Sequence, residues 1–240
     1  MASEIKPKFK RVLLKLSGEG LMGRLNFGID EKVVAELAAE VAKLQQSGVE
    51  LCLVIGGGIF FRGAKNAGKM MDRSVADQIG MMATVINALA MKSALEKCGC
   101  PAKIFSGLRM PQVCDAYVYR TALAAVEEKT VVIYAAGTGN PYFTTDTGAA
   151  LRAAEMHCDV LMKATQVDGV YDSDPRQNPH AKRYAEISYA QVLGEHLNVM
   201  DITAVSMAAE NNIPIMVFAQ KGKDAIVKAV CGTAKHTMIK

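Results

Sequence analysis

Short apolar runs rich in β-branched residues and leucine recur along this chain, each closed by small or polar residues and followed by a longer stretch of helical period. Val12 to Leu16, Leu51 to Ile55, Lys103 to Phe105, Val131 to Ala135, Val160 to Lys163 and Ile215 to Phe218 read as buried strands. Between the first two, Val33, Val34, Leu37, Val41 and Leu44 make one apolar helical face, with Asp30 placed as N-cap and Gly48 placed to end the helix. Further helices are predicted at about Arg73 to Lys97, Asp146 to Met156, Thr203 to Asn211 and Asp224 to Val230. Alternation of this kind specifies an α/β fold, a three-layer sandwich around a mainly parallel sheet. Ligands on such sheets bind beyond the carboxyl ends of the strands, so the loops after each strand are the ones that carry chemistry.

No repeat, low-complexity tract or Pro/Gly-rich linker divides the 240 residues, which predicts one domain over 1–240 with a short basic extension over about 1–10. The continuous apolar runs are far shorter than the ~20 residues of a membrane span. No apolar signal core follows the basic N-terminal stretch, so a cytoplasmic protein with no membrane partner is expected. Cys52, Cys98, Cys100, Cys114, Cys158 and Cys231 lack the paired spacings of a zinc site or a secreted disulfide framework, and are expected as free thiols. A net charge of +4 without a dense Lys/Arg stripe gives no case for nucleic acid. It suits small anions equally well.

Two familiar nucleotide motifs are present in outline and fail in context. Gly18-Glu-Gly20-Leu-Met-Gly23 matches the dinucleotide pattern, but the helix waits until about Asp30, and the next strand ends in Gly56-Gly57-Gly58 with no acid to hold a ribose. Gly63-Ala-Lys-Asn-Ala-Gly68-Lys69-Met70 is one residue short of a phosphate-binding P-loop, carries Met70 where a magnesium-binding hydroxyl belongs, and has no strand leading into it.

Other strand-end residues point to phosphate. Lys15 stands inside the run Val12-Leu-Leu-Lys-Leu-Ser17-Gly18: the alternation either turns it to solvent or holds it near the strand end for an anion. Gly56-Gly57-Gly58 exceeds what a tight turn needs, as expected where backbone approaches a ligand closely or needs positive φ. Arg62 beyond it can fork onto phosphate oxygens. Asp77 is either an acid of a helix start or an acceptor for ribose hydroxyls. Gly137-Thr-Gly-Asn-Pro-Tyr-Phe-Thr-Thr-Asp146 joins a strand to a helix with hydroxyls, an amide and aromatics able to surround a phosphorylated base and sugar. Lys163 puts a second cation at a strand end, and phosphoryl transfer depends mainly on positioning and neutralising phosphate charge.

Taken in order, Lys15-Leu-Ser-Gly18, Ile55-Gly-Gly-Gly58 with Phe61-Arg62-Gly63, the segment Gly137 to Asp146, and Lys163-Ala-Thr-Gln-Val-Asp-Gly-Val-Tyr171 resemble the bacterial UMP kinases of the amino acid kinase fold, from about Lys10 to the C-terminus. The resemblance implies transfer of the γ-phosphoryl group of ATP to UMP, with Mg2+ on the phosphates and no protein-only metal cage. It implies catalytic roles for Lys15, Asp146 and Lys163. ATP would be held by Lys15, Leu16, Ser17, Gly18, Gly58, Arg62, Thr165, Tyr171 and Asp174, and UMP by Gly57, Asp77, Thr138, Gly139, Asn140, Pro141, Tyr142, Phe143, Thr144 and Thr145. It further implies a homohexamer and the effectors GTP, an activator, and UTP, an inhibitor; Gly23 to Gly28 corresponds to a variable region linked to the GTP response. An amino acid or carbamate kinase on the same fold, and a nucleotide sensor without turnover, are the competing readings.

Overall fold

The computed structural model describes residues 5–58, 71–197 and 199–240. One nine-stranded sheet runs through it, built from β1 (Arg11–Leu16), β2 (Glu50–Ile55), β3 (Ala102–Ser106), β4 (Asp115–Ala116), β5 (Val131–Ala135), β6 (Val160–Thr165), β7 (Glu186–Ile187), β8 (Ile215–Ala219) and β9 (His236–Ile239). Their order across the sheet is β4-β3-β5-β2-β1-β6-β8-β9-β7. Every pairing is parallel except β8 with β9. All six residues of β2 are buried, as expected of a central parallel strand covered on both faces.

Helices cover both faces. On one side α1 (Glu31–Gln46), α2 (Arg73–Lys97) and α7 (Ala225–Val230) enclose a core with Val12, Leu14, Leu16, Leu53 and Phe218. On the other, α3 (Tyr119–Glu127), α4 (Thr145–Glu155), α5 (Tyr189–Gly194) and α6 (Ile202–Glu210) enclose Leu13, Val54, Phe105, Leu161 and Val217. The alternation in β1 thus sends Leu14 and Leu16 to the first core and puts Lys15 on the face of Leu13.

Most predicted elements are present with shifted ends. Asp30 caps α1 by accepting the backbone amides of Lys32 and Val33, and Gly48 follows that helix at φ 91°. Asp146 lies inside α4, whose N-cap is Thr144, and Asp224 precedes α7 in the left-handed region without capping it. The strands β4, β7 and β9 and the helices α3 and α5 were not anticipated. Among the described residues α2 is long and apolar enough to cross a membrane by length and composition, although its apolar residues are interrupted by polar ones. Its buried residues, including Val85, Ala88 and Met91, belong to the core beneath it.

The N-terminal edge of the sheet carries a buried acid. Glu50, 4 % exposed, accepts from Arg11 Nε at 2.6 Å and Lys129 Nζ at 2.7 Å. Burial works to raise its pKa, but the two cations outweigh it and hold the carboxyl below its ordinary value. The six cysteines are free, and Cys52, Cys100 and Cys158 are buried.

Candidate active site

Lys15 and Lys163 are direct partners in the parallel register of β1 and β6, so the sheet itself sets the two ammonium groups side by side. Between them stands Asp146, in the first turn of α4: Oδ1 lies 2.9 Å from Lys15 Nζ and Oδ2 2.7 Å from Lys163 Nζ. The alternative of a solvated Lys15 therefore falls away, since its side chain is 13 % exposed and paired. Burial opposes the charge on Asp146, but Lys15 and Lys163 prevail and lower its pKa. For Lys163 burial is the largest influence and lowers its pKa, against the carboxylates of Asp146 and Asp201. Lys15, Lys163 and the carboxylate between them thus stand together at the carboxyl end of the sheet.

Asp146 is fixed from behind. Thr144 Oγ1 accepts the backbone amides of Asp146 at 3.0 Å and Thr147 at 3.3 Å, while its hydroxyl donates to Asp201. Thr147 Oγ1 donates to the other oxygen of Asp201 at 2.8 Å, and that carboxylate also caps α6 through the amide of Ala204. Lys163 Nζ further donates to the carbonyl of Val199. Sequence reasoning missed Asp201 and Val199. Asp201 shows in sequence only as an ordinary acid before a helix.

A cavity of about 500 Å³ opens beside this cluster, bounded by Gly57 and Gly58 after β2, the start of α2, and the loop after β5. Of the residues expected around the phosphoryl acceptor, Gly57, Asp77, Thr138, Asn140, Phe143, Thr144 and Thr145 line it. Gly139, at φ 80°, is instead pressed against Gly107, whose carbonyl oxygen would lie 2.6 Å from an added Cβ. Pro141 is half-buried beside the cavity, and Tyr142 borders the adjoining hollow at α5 and α6. Asp77 is not the cap of α2, a role taken by Asp72; its Oδ2 accepts from Arg73 Nε and from the amide of Tyr142, each at 2.8 Å.

On the other side of β6 a cavity of about 420 Å³ gathers Thr165, Tyr171 and Asp174, three residues expected around the donor. Thr165 Oγ1 accepts from the amide of Val167 and donates to its carbonyl, Tyr171 donates to Asp168 at 2.5 Å, and Asp174 is paired with Arg176. Leu16 is core, Ser17 and Gly18 begin a short 3-10 turn (Gly18–Leu21), and Gly58 faces the acceptor cavity with Gly57 rather than this one. Arg62 and the near-P-loop at 63–70 lie outside the described residues.

The glycine run after β2 makes close backbone contacts within the chain, while Gly57 and Gly58 also line the acceptor cavity. None of Gly56, Gly57 and Gly58 has positive φ. A Cβ on Gly18 would lie 2.1 Å from the Gly56 oxygen, and one on Gly57 would lie 2.6 Å from the Gly80 oxygen of α2. The glycines let two loops and a helix meet backbone to backbone. Asn87 Nδ2 holds the Gly56 carbonyl at 2.7 Å, and Thr84 Oγ1 takes the Ala136 amide at 2.7 Å, tying α2 to both loops.

Residues 10–219 match the model of the amino acid kinase family. The chain belongs to the amino acid kinase family. Among its relatives in that family, the uridylate kinase of Erythrobacter litoralis is 52% identical over 233 residues, covering 97% of this chain and 98% of that protein. The crystal structure of UMP kinase from Ureaplasma parvum superposes with TM-score 0.92 at 37% identity, covering 96% of this chain and 98% of the other. The UMP kinase structure from Bacillus anthracis also gives 0.92, at 32% identity, covering 98% and 97%. The family's three-layer architecture with a mostly parallel sheet is thus the fold of this chain.

Proposed function

We propose that this chain, as one domain over 1–240, transfers the γ-phosphoryl group of ATP to UMP, giving UDP and ADP. The observation that carries the reading is the Lys15–Asp146–Lys163 cluster at the strand ends: Thr144 and Thr145, next to Asp146 in the chain, line the acceptor cavity, and Thr165, two residues past Lys163, lines the other. An oxygen of the UMP phosphate attacks the γ-phosphorus, the bond to the bridging oxygen breaks, and ADP leaves with that oxygen's electron pair. The attacking phosphate is already ionised, so no general base is needed. The work is to hold two anions together and neutralise charge spreading over the transferred group. Lys15 and Lys163 supply the positive charge; Asp146 bridges the two ammonium groups and holds them in place. ATP would enter as its Mg2+ complex, the ion neutralising charge on the phosphates.

The names of the relatives and the fit of Asp77, Thr138 and Phe143 around the acceptor cavity support UMP over an amino acid. Such an enzyme serves pyrimidine nucleotide synthesis in the cytoplasm. A homohexamer is supported by the exposed Val75, Met82, Ile86 and Leu89, which recur at helical spacing on α2. GTP activation and UTP inhibition complete the reading, with Leu25 and Phe27 exposed in the variable 23–28 segment. The test is ADP release with UMP, CMP, AMP and acetylglutamate, with and without GTP and UTP. Preference for UMP is expected; preference for acetylglutamate, or binding without turnover, refutes the proposal.

A further inference from the structure

We infer that Arg73 is a positioning residue that sets the acceptor's sugar specificity through Asp77. The inference rests on the proposed function and adds to it a residue outside the expected set. Arg73 opens α2 and lines the acceptor cavity. Its Nε donates to Asp77 Oδ2 at 2.8 Å, one helical turn on, where an exposed pair of this spacing contributes little. This pair differs in its surroundings. The Asp77 side chain is 13 % exposed, and the same Oδ2 accepts the backbone amide of Tyr142 at 2.8 Å. The guanidinium also sits 5.5 Å from the centre of the Tyr142 ring. Tyr142 itself is held at φ 70°, a left-handed conformation that costs energy outside glycine and persists only where its surroundings impose it.

Arg73 therefore joins the acceptor loop to α2 by two routes, the carboxylate it shares with the Tyr142 amide and the ring it faces. With both donors on Oδ2, the carboxylate is fixed in rotation and Oδ1 is assigned to the acceptor. A fixed acceptor oxygen beside the cavity selects for a hydroxyl, because a sugar lacking that hydroxyl leaves the carboxylate without its donor. A carboxylate free to rotate would recover a water partner and discriminate less. The guanidinium, with its planar array of donors, suits this joint role, and a lysine reproduces the charge without the fork.

The experiment compares kcat/KM for UMP with that for its 2′-deoxy and 3′-deoxy analogues in wild type, Arg73→Ala, Arg73→Lys, Asp77→Asn and the Arg73→Ala/Asp77→Asn double variant. Arg73→Ala is expected to raise KM for UMP by on the order of tenfold, more than it lowers kcat, with KM for ATP little moved. The preference for the full ribose falls by a similar factor, and Arg73→Lys restores part of it. Because Arg73 acts through Asp77, the double variant should discriminate no worse than Asp77→Asn alone. If Arg73→Ala does not fold, Arg73→Lys and Arg73→Gln read the same ratio. An unchanged preference in folded variants, or additive losses in the double variant, overturns the role of Arg73 alone. A wild type inactive on UMP overturns the proposed function and this inference with it.

Discussion

Replacing Asp146 by asparagine keeps the shape of the side chain and removes the charge that two lysines share. One oxygen becomes an NH2 group, so either Lys15 or Lys163 exchanges an acceptor at 2.7 to 2.9 Å for a donor. At 2.7 Å the attraction lost is about 6 kcal/mol at an effective dielectric of about 20, and measured losses for breaking one side of a buried pair run to about 3–5 kcal/mol. The cheapest relief is deprotonation of Lys163, whose pKa burial already lowers. Losing the carboxylate removes the main influence that opposes burial, so the titration of Lys163 moves further down. If Lys163 acts as a cation in the reaction, the alkaline fall of kcat should move to lower pH in the variant. At neutral pH kcat should drop by on the order of 10²–10³, the scale seen when one charge-stabilising group is lost. Initial rates of ADP release with saturating UMP and ATP, measured from pH 6 to 10, test this. A variant within about threefold of wild type, with its alkaline limb unmoved, would refute the account of Asp146 as the common partner of the two lysines.

Lys15→Ala should lower turnover by on the order of 10²-fold while leaving UMP affinity within a few-fold, read by calorimetry against kcat; equal losses in both would count against a transition-state role. Gly18→Ala puts a Cβ where the Gly56 oxygen stands, and forcing the two loops apart should cost about 1–3 kcal/mol of stability and at least tenfold in kcat, seen in denaturant melts and rates. Glu50→Gln, far from the site, should destabilise by about 3 kcal/mol near neutral pH and leave kcat alone. Since folding lowers the Glu50 pKa, its contribution is present above the ordinary carboxyl range and lost as pH falls through the folded value, so wild type and variant melts should converge in acid.

What could be read from sequence was what local chemistry leaves visible. A lysine within an apolar run, an acid at a helix start and glycines after a strand are each locally unusual, and Lys15, Lys163 and Asp146 do converge. The packing of Gly56 and Gly57 was not legible, because their close neighbours are Gly18 and Gly80, on other elements. Asp201 reaches Thr144 across 57 positions, and Asp77 reaches the Tyr142 amide across 65, and neither separation leaves a periodic trace. The edge strands β4 and β7 are two residues each and exist by virtue of their pairing with β3 and β9, so no local preference announces them.

The register that pairs Lys15 with Lys163 has an evolutionary consequence. The two lysines are brought side by side by the ~4.8 Å between hydrogen-bonded strands, a length common to all β-sheets, and the acceptor loop enters only through Asp146 and its cap Thr144. Substitutions confined to 73–84 and 136–143 leave that register and the Thr144 cap of Asp146 in place, so residues lining the acceptor cavity are open to change without moving the pair of lysines.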